Sequence, residues 1–324
     1  MKSAYDVLGI GNAIVDVLSR TDEAFLGQHG LVKGSMMLID EERAESLYDA
    51  MGPAVEVSGG SCGNTMAGVA SFGGKGAYIG KVRDDQVGNV FGHDLKANGV
   101  AFDTPKAKSG PSTARCLILI TPDAQRTMNT YLGACTGLGP SDIDPALVGS
   151  AAVTYVEGYL WDAPAAKQAV LKAFEAAHAQ ERLVSITLSD SFCVHRYRSE
   201  FRDLVRNKVD ILFGNEAEIK ALYEVETFEE AMEAVRREAK IAALTRSEKG
   251  SIVIKGSETW EVPASPAARI VDTTGAGDLY AAGFLFGYTH AKPLAECARL
   301  GGVAAAEIIS HVGARPEQAL RELI

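Results

Sequence analysis

An α/β fold built on a mainly parallel sheet is what this sequence predicts, and three observations carry the prediction. After residue 150, short aliphatic runs alternate with longer amphipathic stretches. Between residues 101 and 134 the pattern changes to two apolar runs with a turn between them. Near the end, a loop of small residues, Asp272-Thr273-Thr274-Gly275-Ala276-Gly277-Asp278, opens directly onto an apolar helical stretch. Repeated strand–helix alternation implies parallel strands with helices on both faces. Sheets of that kind bind ligands outside the carboxyl ends of their strands.

In chain order, residues 7–11 read as a short buried strand, 36–39 as another apolar run and 41–51 as a helix. Residues 58–65 form a glycine-dense loop, followed by a small-residue helix over 67–72 and a strand over 77–82. A polar approach over 104–113 leads into the interrupting piece. Its two arms, 114–120 and 126–131, flank the turn Thr121-Pro122-Asp123-Ala124-Gln125, which reads as a hairpin. The alternation that follows places strands at 153–156, 183–188, 209–213, 241–244 and 251–254. Helices fall at 163–179, 195–205 and 216–223. Phe228, Ala231, Met232 and Val235 recur at i, i+3, i+4 and i+7, marking one face of a further helix. No repeat, low-complexity tract or linker interrupts the chain.

The chain has 324 residues, enough for one large domain or two ordinary ones with a sizeable core. Its 47% hydrophobic and 23% charged residues are those of a globular protein. A net charge of −10 argues against a nucleic-acid partner, whose binding surfaces are usually basic. It leaves room for a phosphate ligand held by a few local donors. The five cysteines contain no CxxC pair, so the sequence offers no zinc or redox motif and reads as reduced thiols in a cytosol. The start, Met1-Lys2-Ser3-Ala4-Tyr5-Asp6, lacks the apolar run of a signal peptide, and no stretch of about 18 apolar residues suggests a membrane span. The expected location is the cytoplasm.

Four segments carry candidate chemistry. In residues 272–278, glycines let backbone N–H groups converge at a helix N-terminus, where the helix dipole adds positive character. That suits developing phosphoryl charge, and Asp278 in the first turn stands where a carboxylate can take a proton from an acceptor hydroxyl. The bland reading is a turn with Asp278 as dipole partner. In residues 58–65, glycines allow close backbone approach to a ligand and Asn64 can bond hydroxyls; the alternative is a helix N-cap. Asn215 and Glu218, after a strand, suit magnesium held largely through waters, or simple helix capping. Thr245, Arg246 and Gly250 follow another strand and suit nucleotide phosphates, or an ordinary hairpin turn. Two motifs fail. Gly9-Ile10-Gly11 lacks the third glycine of a dinucleotide fingerprint, and Gly73-Gly74-Lys75-Gly76 has glycine where a P-loop needs Ser or Thr. His311 reads as a surface or capping residue.

These segments, in this order, resemble the ribokinase and adenosine kinase family, the pfkB-type carbohydrate kinases. Residues 58–88 are similar to that family's first signature and residues 272–285 to its second. The resemblance spans nearly the whole chain. It implies a three-layer ribokinase-like α/β core over residues 1–324, with a small β-sheet lid from about 14–39 and 104–134. By position, Asp278 resembles the catalytic base and Gly275, Ala276 and Gly277 the anion hole. Asn12, Asp16, Gly59, Gly60 and Asn64 resemble acceptor-hydroxyl ligands, and Arg126 an arginine at the transferring phosphate. Asn215 and Glu218 match an N-x-x-E pattern tied to magnesium. Thr245, Arg246, Gly250 and Gly302 resemble the ATP site, although Arg246 stands where glycine is common.

The resemblance implies ATP as co-substrate, Mg²⁺, and in some members K⁺. It implies small-molecule partners only, with no nucleic acid and no membrane, in a monomer or homodimer. The opening and the tail over 288–316 are most similar to bacterial adenosine kinase-like members, so a nucleoside, adenosine first, is the expected acceptor. A ribose-, fructose- or keto-deoxy-acid kinase is the alternative. A non-catalytic nucleotide-binding protein and a dinucleotide oxidoreductase are rivals from other classes. The intact Asp278 loop speaks against the first and the missing glycine against the second.

Overall fold

The computed structural model describes residues 3–123 and 125–324; Met1, Lys2 and Ala124, at the expected hairpin turn, lie outside the described residues. Its strands are β1 (Tyr5–Ile10), β2 (Ile14–Arg20), β3 (Met36–Leu38), β4 (Ala54–Ser58), β5 (Gly76–Ile79), β6 (Val100–Phe102) and β7 (Ala114–Ile120). They continue as β8 (Arg126–Tyr131), β9 (Ala151–Glu157), β10 (Leu183–Thr187), β11 (Ile211–Asn215), β12 (Ile241–Thr245), β13 (Ser251–Lys255) and β14 (Glu258–Val262). Among the described residues they form a nine-stranded sheet in the order β14-β13-β12-β11-β10-β9-β1-β5-β6 and a five-stranded sheet in the order β3-β8-β7-β2-β4.

The large sheet is parallel from β6 through β12; β13 and β14 close it as antiparallel edge strands. Its central strands are buried on both faces, which explains why they read as continuous aliphatic runs. Successive residues point to opposite sides. Val7, Tyr155 and Phe213 join a core with Met66, Leu279, Phe284 and Leu300 from the helices Ser61–Ser71, Ala276–Thr289 and Leu294–Ile308. Leu8, Val156 and Leu212 join a second core with Phe174, Phe201, Ile219 and Val235 from the helices opposite. The result is the three-layer α/β arrangement expected from the alternation.

Strand order fixes where a ligand can sit. From β1 the chain moves to β5 and β6 on one side, then returns to β9 on the other. The carboxyl ends of β1 and β9 therefore lie at the point where the order reverses, and a crevice opens there. Ile10 of β1 pairs with Val156 of β9, so Gly11 and Asn12 leave the sheet beside Glu157.

The small sheet contains the expected hairpin, β7 with β8, and β2 and β3 from the 14–39 segment. It also contains β4, which the sequence reading left out. Within 14–39, residues Glu23–Gln28 are helical rather than part of the sheet. β4 reads AVEVS with Val55 exposed, too short and too polar on one side to stand out. Its end runs straight into the 58–65 loop.

All five cysteines are free and buried. His311 is buried and bonded to Glu307, rather than on the surface. Among the described residues, no helix is long and apolar enough to cross a membrane.

Candidate active site

Two helices bring the site together, and their composition dictates how closely. The Ser61–Ser71 and Ala276–Thr289 helices start at Gly60 and Gly275, both with positive φ, +79° in each case. A Cβ at Gly60 would fall on the Asn12 carbonyl oxygen, and one at Gly275 would lie 2.9 Å from the Ala314 Cβ. Only glycine fits either place. Neither start has a side-chain cap, whereas Asp40, Asp85 and Asp190 cap other helices. The Ala276 N–H bonds back to the Thr273 carbonyl at 3.2 Å, and the uncapped start of the Ala276–Thr289 helix presents the positive end of its dipole to an anion. Along their length the helices touch where Gly68 meets Ala282 and Leu279; a Cβ there would lie 2.6 Å from both side chains.

That close approach sets Asn64 and Ser61 against Asp278. The Ser61 hydroxyl donates to Asp278 Oδ1 at 2.6 Å, and Asn64 Nδ2 donates to Oδ2 at 2.9 Å. Burial holds the Asp278 carboxyl above the ordinary carboxylate range, while these two bonds and the Arg315 guanidinium pull it back down. Asp278 therefore keeps a carboxylate that is fixed in place and more basic than a solvated one.

Arg315, which the sequence reading did not single out, completes this corner. Its Nη1 donates to Asn64 Oδ1 at 2.8 Å, and its Nη2 donates to the Ser58 carbonyl and hydroxyl oxygens. It sits beyond the last long helix, and no local pattern announces that the tail folds back. The fold-back is held by Val271 N–H on the Ile309 carbonyl and Gly313 N–H on Asp272 Oδ2.

Glu157 is a second residue missed from sequence. It is 1% exposed and takes three donors: the Asn12 N–H at 2.8 Å, Asn12 Nδ2 at 2.7 Å and the Cys62 N–H at 2.9 Å. Asn12 is thus fixed by Glu157, and Gly11 leaves no room for a Cβ beside that carboxylate. Burial raises Glu157 to about 7 despite these bonds. Glu218 rises to about 7 and Asp16 to about 6, again chiefly through burial.

Raised carboxyls carry a stability consequence with a definite sign. Above the ordinary value of 4.5 the unfolded chain ionises Glu157 and Glu218 while the native protein still holds their protons. Native stability contributed by these groups therefore declines from about pH 4.5 to 7 and then levels off. The urea midpoint is expected to fall between pH 5 and pH 8, with a shallower fall in Glu157→Gln. A midpoint that rises over that range would contradict the buried-carboxyl account.

A cavity of about 660 Å³ lies between the small sheet and the tail over 312–317, with Asn64 in its wall. Asp16, Asn64, Arg126 and Arg315 give it a polar wall; Leu18, Val55, Val57 and Ile120 from the small sheet give it an apolar one. Gly59 stands against the Asp16 carboxylate with no space for a Cβ. Arg126 lies 2.8 Å from Asp272, both nearly buried, and its three guanidinium nitrogens make no hydrogen bond of good geometry.

The remaining expected residues stand along the strand ends. Asn215 and Thr245 are register partners in β11 and β12, side by side. Asn215 and Glu218 form a reciprocal capping box, with bonds of 2.6 to 3.0 Å. Arg246 pairs with Glu216 at 3.3 Å and stacks on Phe228. Gly250, at φ +85°, closes the β12–β13 turn where a Cβ would strike the Val262 carbonyl. Gly302 faces Ser265. Among the described residues, none of these six bonds directly to Asp278.

Among the described residues, no group of three or more His, Cys, Asp or Glu side chains is arranged to hold a metal ion. Asp190 and Asp278 do act on Glu218, each raising its carboxyl. These spaced carboxylates suit a cation held mainly by phosphate oxygens and water, not an all-protein cage.

A profile described as pfkB family carbohydrate kinase matches residues 33–319. The chain belongs to the pfkB family of carbohydrate kinases. It is accordingly a phosphotransferase that acts on a hydroxyl group. Among solved structures of pfkB-type proteins, a probable sugar kinase from Rhizobium etli CFN 42 shares 52% identity, with a TM-score of 0.92 over 99% of this chain and 98% of that one. An adenosine kinase from Sinorhizobium meliloti shares 56% identity, with a TM-score of 0.91 over 98% of both chains. A 5-dehydro-2-deoxygluconokinase from Geobacillus kaustophilus is 30% identical over 266 residues, 78% of each chain. Relatives of this pfkB chain thus span nucleoside and sugar-type acceptors.

Proposed function

We propose that this kinase transfers the γ-phosphate of ATP to a primary hydroxyl of a nucleoside, most favourably adenosine, giving AMP. The observation that carries the acceptor class is the two-sided cavity. A free sugar needs polar groups all round, whereas a nucleoside presents a hydroxylated ribose at one end and a flat base at the other. Asp16 and Asn64 in the cavity, with Asn12 proposed beside them, match the ribose end; Leu18, Val55, Val57 and Ile120 match the base. The size suits it too, since small-molecule pockets run from about 300 to 1,000 Å³. The likeness to the Sinorhizobium adenosine kinase points the same way.

In this reading Asp278 accepts the proton of the acceptor hydroxyl, held for it by Ser61 and Asn64. The helix start at 275–277 receives the developing phosphoryl charge, the Ala276 N–H turning from the Thr273 carbonyl to do so. Asn215, Thr245, Arg246, Gly250 and Gly302 border the ATP, and Arg126 leaves Asp272 to meet the transferring phosphate. Mg²⁺, held through ATP oxygens and waters near Asn215 and Glu218, would offset phosphate charge when bound. The five-stranded sheet serves as the lid, and the protein works in the cytoplasm. Potassium near the 275–277 loop and a monomer or homodimer complete the reading.

A sugar acid is the second reading, favoured by the three cavity arginines, Arg20, Arg126 and Arg315, which suit a carboxylate. An ATP-consumption screen of the purified protein against nucleosides, pentoses, hexoses and keto-deoxy acids separates the two. Adenosine is expected to give the highest kcat/KM. A clear preference for a free sugar or sugar acid would replace the nucleoside assignment.

A further inference from the structure

Arg315 is placed where two jobs meet, and the proposed function as argued so far uses neither. Its guanidinium sits on the Asn64 amide oxygen, and that amide's nitrogen sits on Asp278. The order matters. An Asn amide presents an acceptor on one side and donors on the other, and only its partners decide which way it faces. Turned over, Asn64 would set its oxygen against a carboxylate and its NH₂ against a guanidinium, losing both bonds. Arg315 is itself fixed at Ser58, whose N–H and hydroxyl donate to Asp94. A chain of bonds therefore runs Asp94–Ser58–Arg315–Asn64–Asp278.

We propose that Arg315 is a positioning residue for phosphoryl transfer: through Asn64 it orients the Asp278 carboxylate, and its charge keeps that carboxylate ionised. The proposal rests on Asp278 being the base. The groups that face this corner come from several elements. Asp16 on β2 is raised to about 6 chiefly by burial, with Arg315 and Arg126 pulling it down and Asp278 pushing it up. Glu157 and Tyr155 on β9, Cys62 on the Ser61–Ser71 helix, Tyr159 and Glu218 all feel Asp278. Around Arg315 itself stand Asp94 and Tyr78. Arg315 is the cation that acts on Asp278 directly.

Two substitutions separate orientation from charge. Arg315→Met removes both, and Arg315→Lys keeps the charge without the fork that grips Asn64 and Ser58 together. With ATP, Mg²⁺ and adenosine as probes, the acid limb of kcat/KM in Arg315→Met is expected to move up by about one pH unit, the low end of what a neighbouring cation does to a carboxylate. In Arg315→Lys the limb should stay in place while kcat falls about tenfold or more, as misplacement of a reacting group does. The side-chain NH₂ signal of Asn64 in ¹⁵N NMR, which needs no acceptor, should shift in both. A folded Arg315→Met with an unmoved acid limb overturns the proposal. So does an Arg315→Lys with wild-type kcat and an unmoved Asn64 signal, which decides the matter if the Met variant fails to fold. Asp278→Asn in the same assay tells the two failures apart: wild-type kcat there removes the base assignment itself.

Discussion

Asp278→Asn is expected to lower kcat by roughly 10²–10⁴-fold, the usual worth of a positioned general base. Asn keeps the shape and can still accept from either Ser61 or Asn64 at its one oxygen, but its NH₂ then faces the other donor and it cannot take a proton. ATP affinity, measured by calorimetry, should survive, because in the proposed mechanism the phosphates meet the backbone at 275–277 rather than this side chain. A purely structural role makes the opposite forecast. A dipole partner at a buried helix start is worth up to about 2 kcal/mol, so activity would hold while the melting temperature slipped. Near-normal kcat in a folded Asp278→Asn would refute the proposed mechanism.

Chelation is expected to have the second large effect, abolishing turnover, with recovery on adding Mg²⁺. The physical reason is the charge already present. Net charge is −10, and Asp190, Glu218 and Asp278 stand close enough that the first and last each raise Glu218. Arg246 is occupied by Glu216 and Phe228, and Arg126 by Asp272. ATP brought there adds several negative charges, and a divalent cation offsets them at least cost. Glu218→Gln should raise the Mg²⁺ concentration needed for half-maximal rate. Full turnover in excess chelator would remove the metal from the mechanism.

What could be read in the sequence follows range in the chain. Strands β9 to β13 and their helices are local patterns, and alternation exposes them. The 275–278 loop announces itself because its glycines and its helix are adjacent. Glu157 and Arg315 do not, because their meaning comes from partners 145 and 251 residues away. A single Glu ending an aliphatic strand, and an Arg between an alanine and a proline, carry no periodicity. Ser61 lay hidden inside the glycine-dense loop whose other members drew attention. β4 was missed because its first residues are exposed and the strand merges with that loop.

The cysteines have a use beyond packing. Burial raises every one of these thiols, to about 12 for Cys116, Cys193 and Cys297, and the thiolate is the reactive form. The native protein should therefore resist alkylation, and each cysteine becomes a clock that runs only when its surroundings open. Cys116 lies in β7 of the small sheet and Cys62 in a core helix. The order in which mass spectrometry finds them labelled reports, without any engineered probe, which of the two sheets comes apart first.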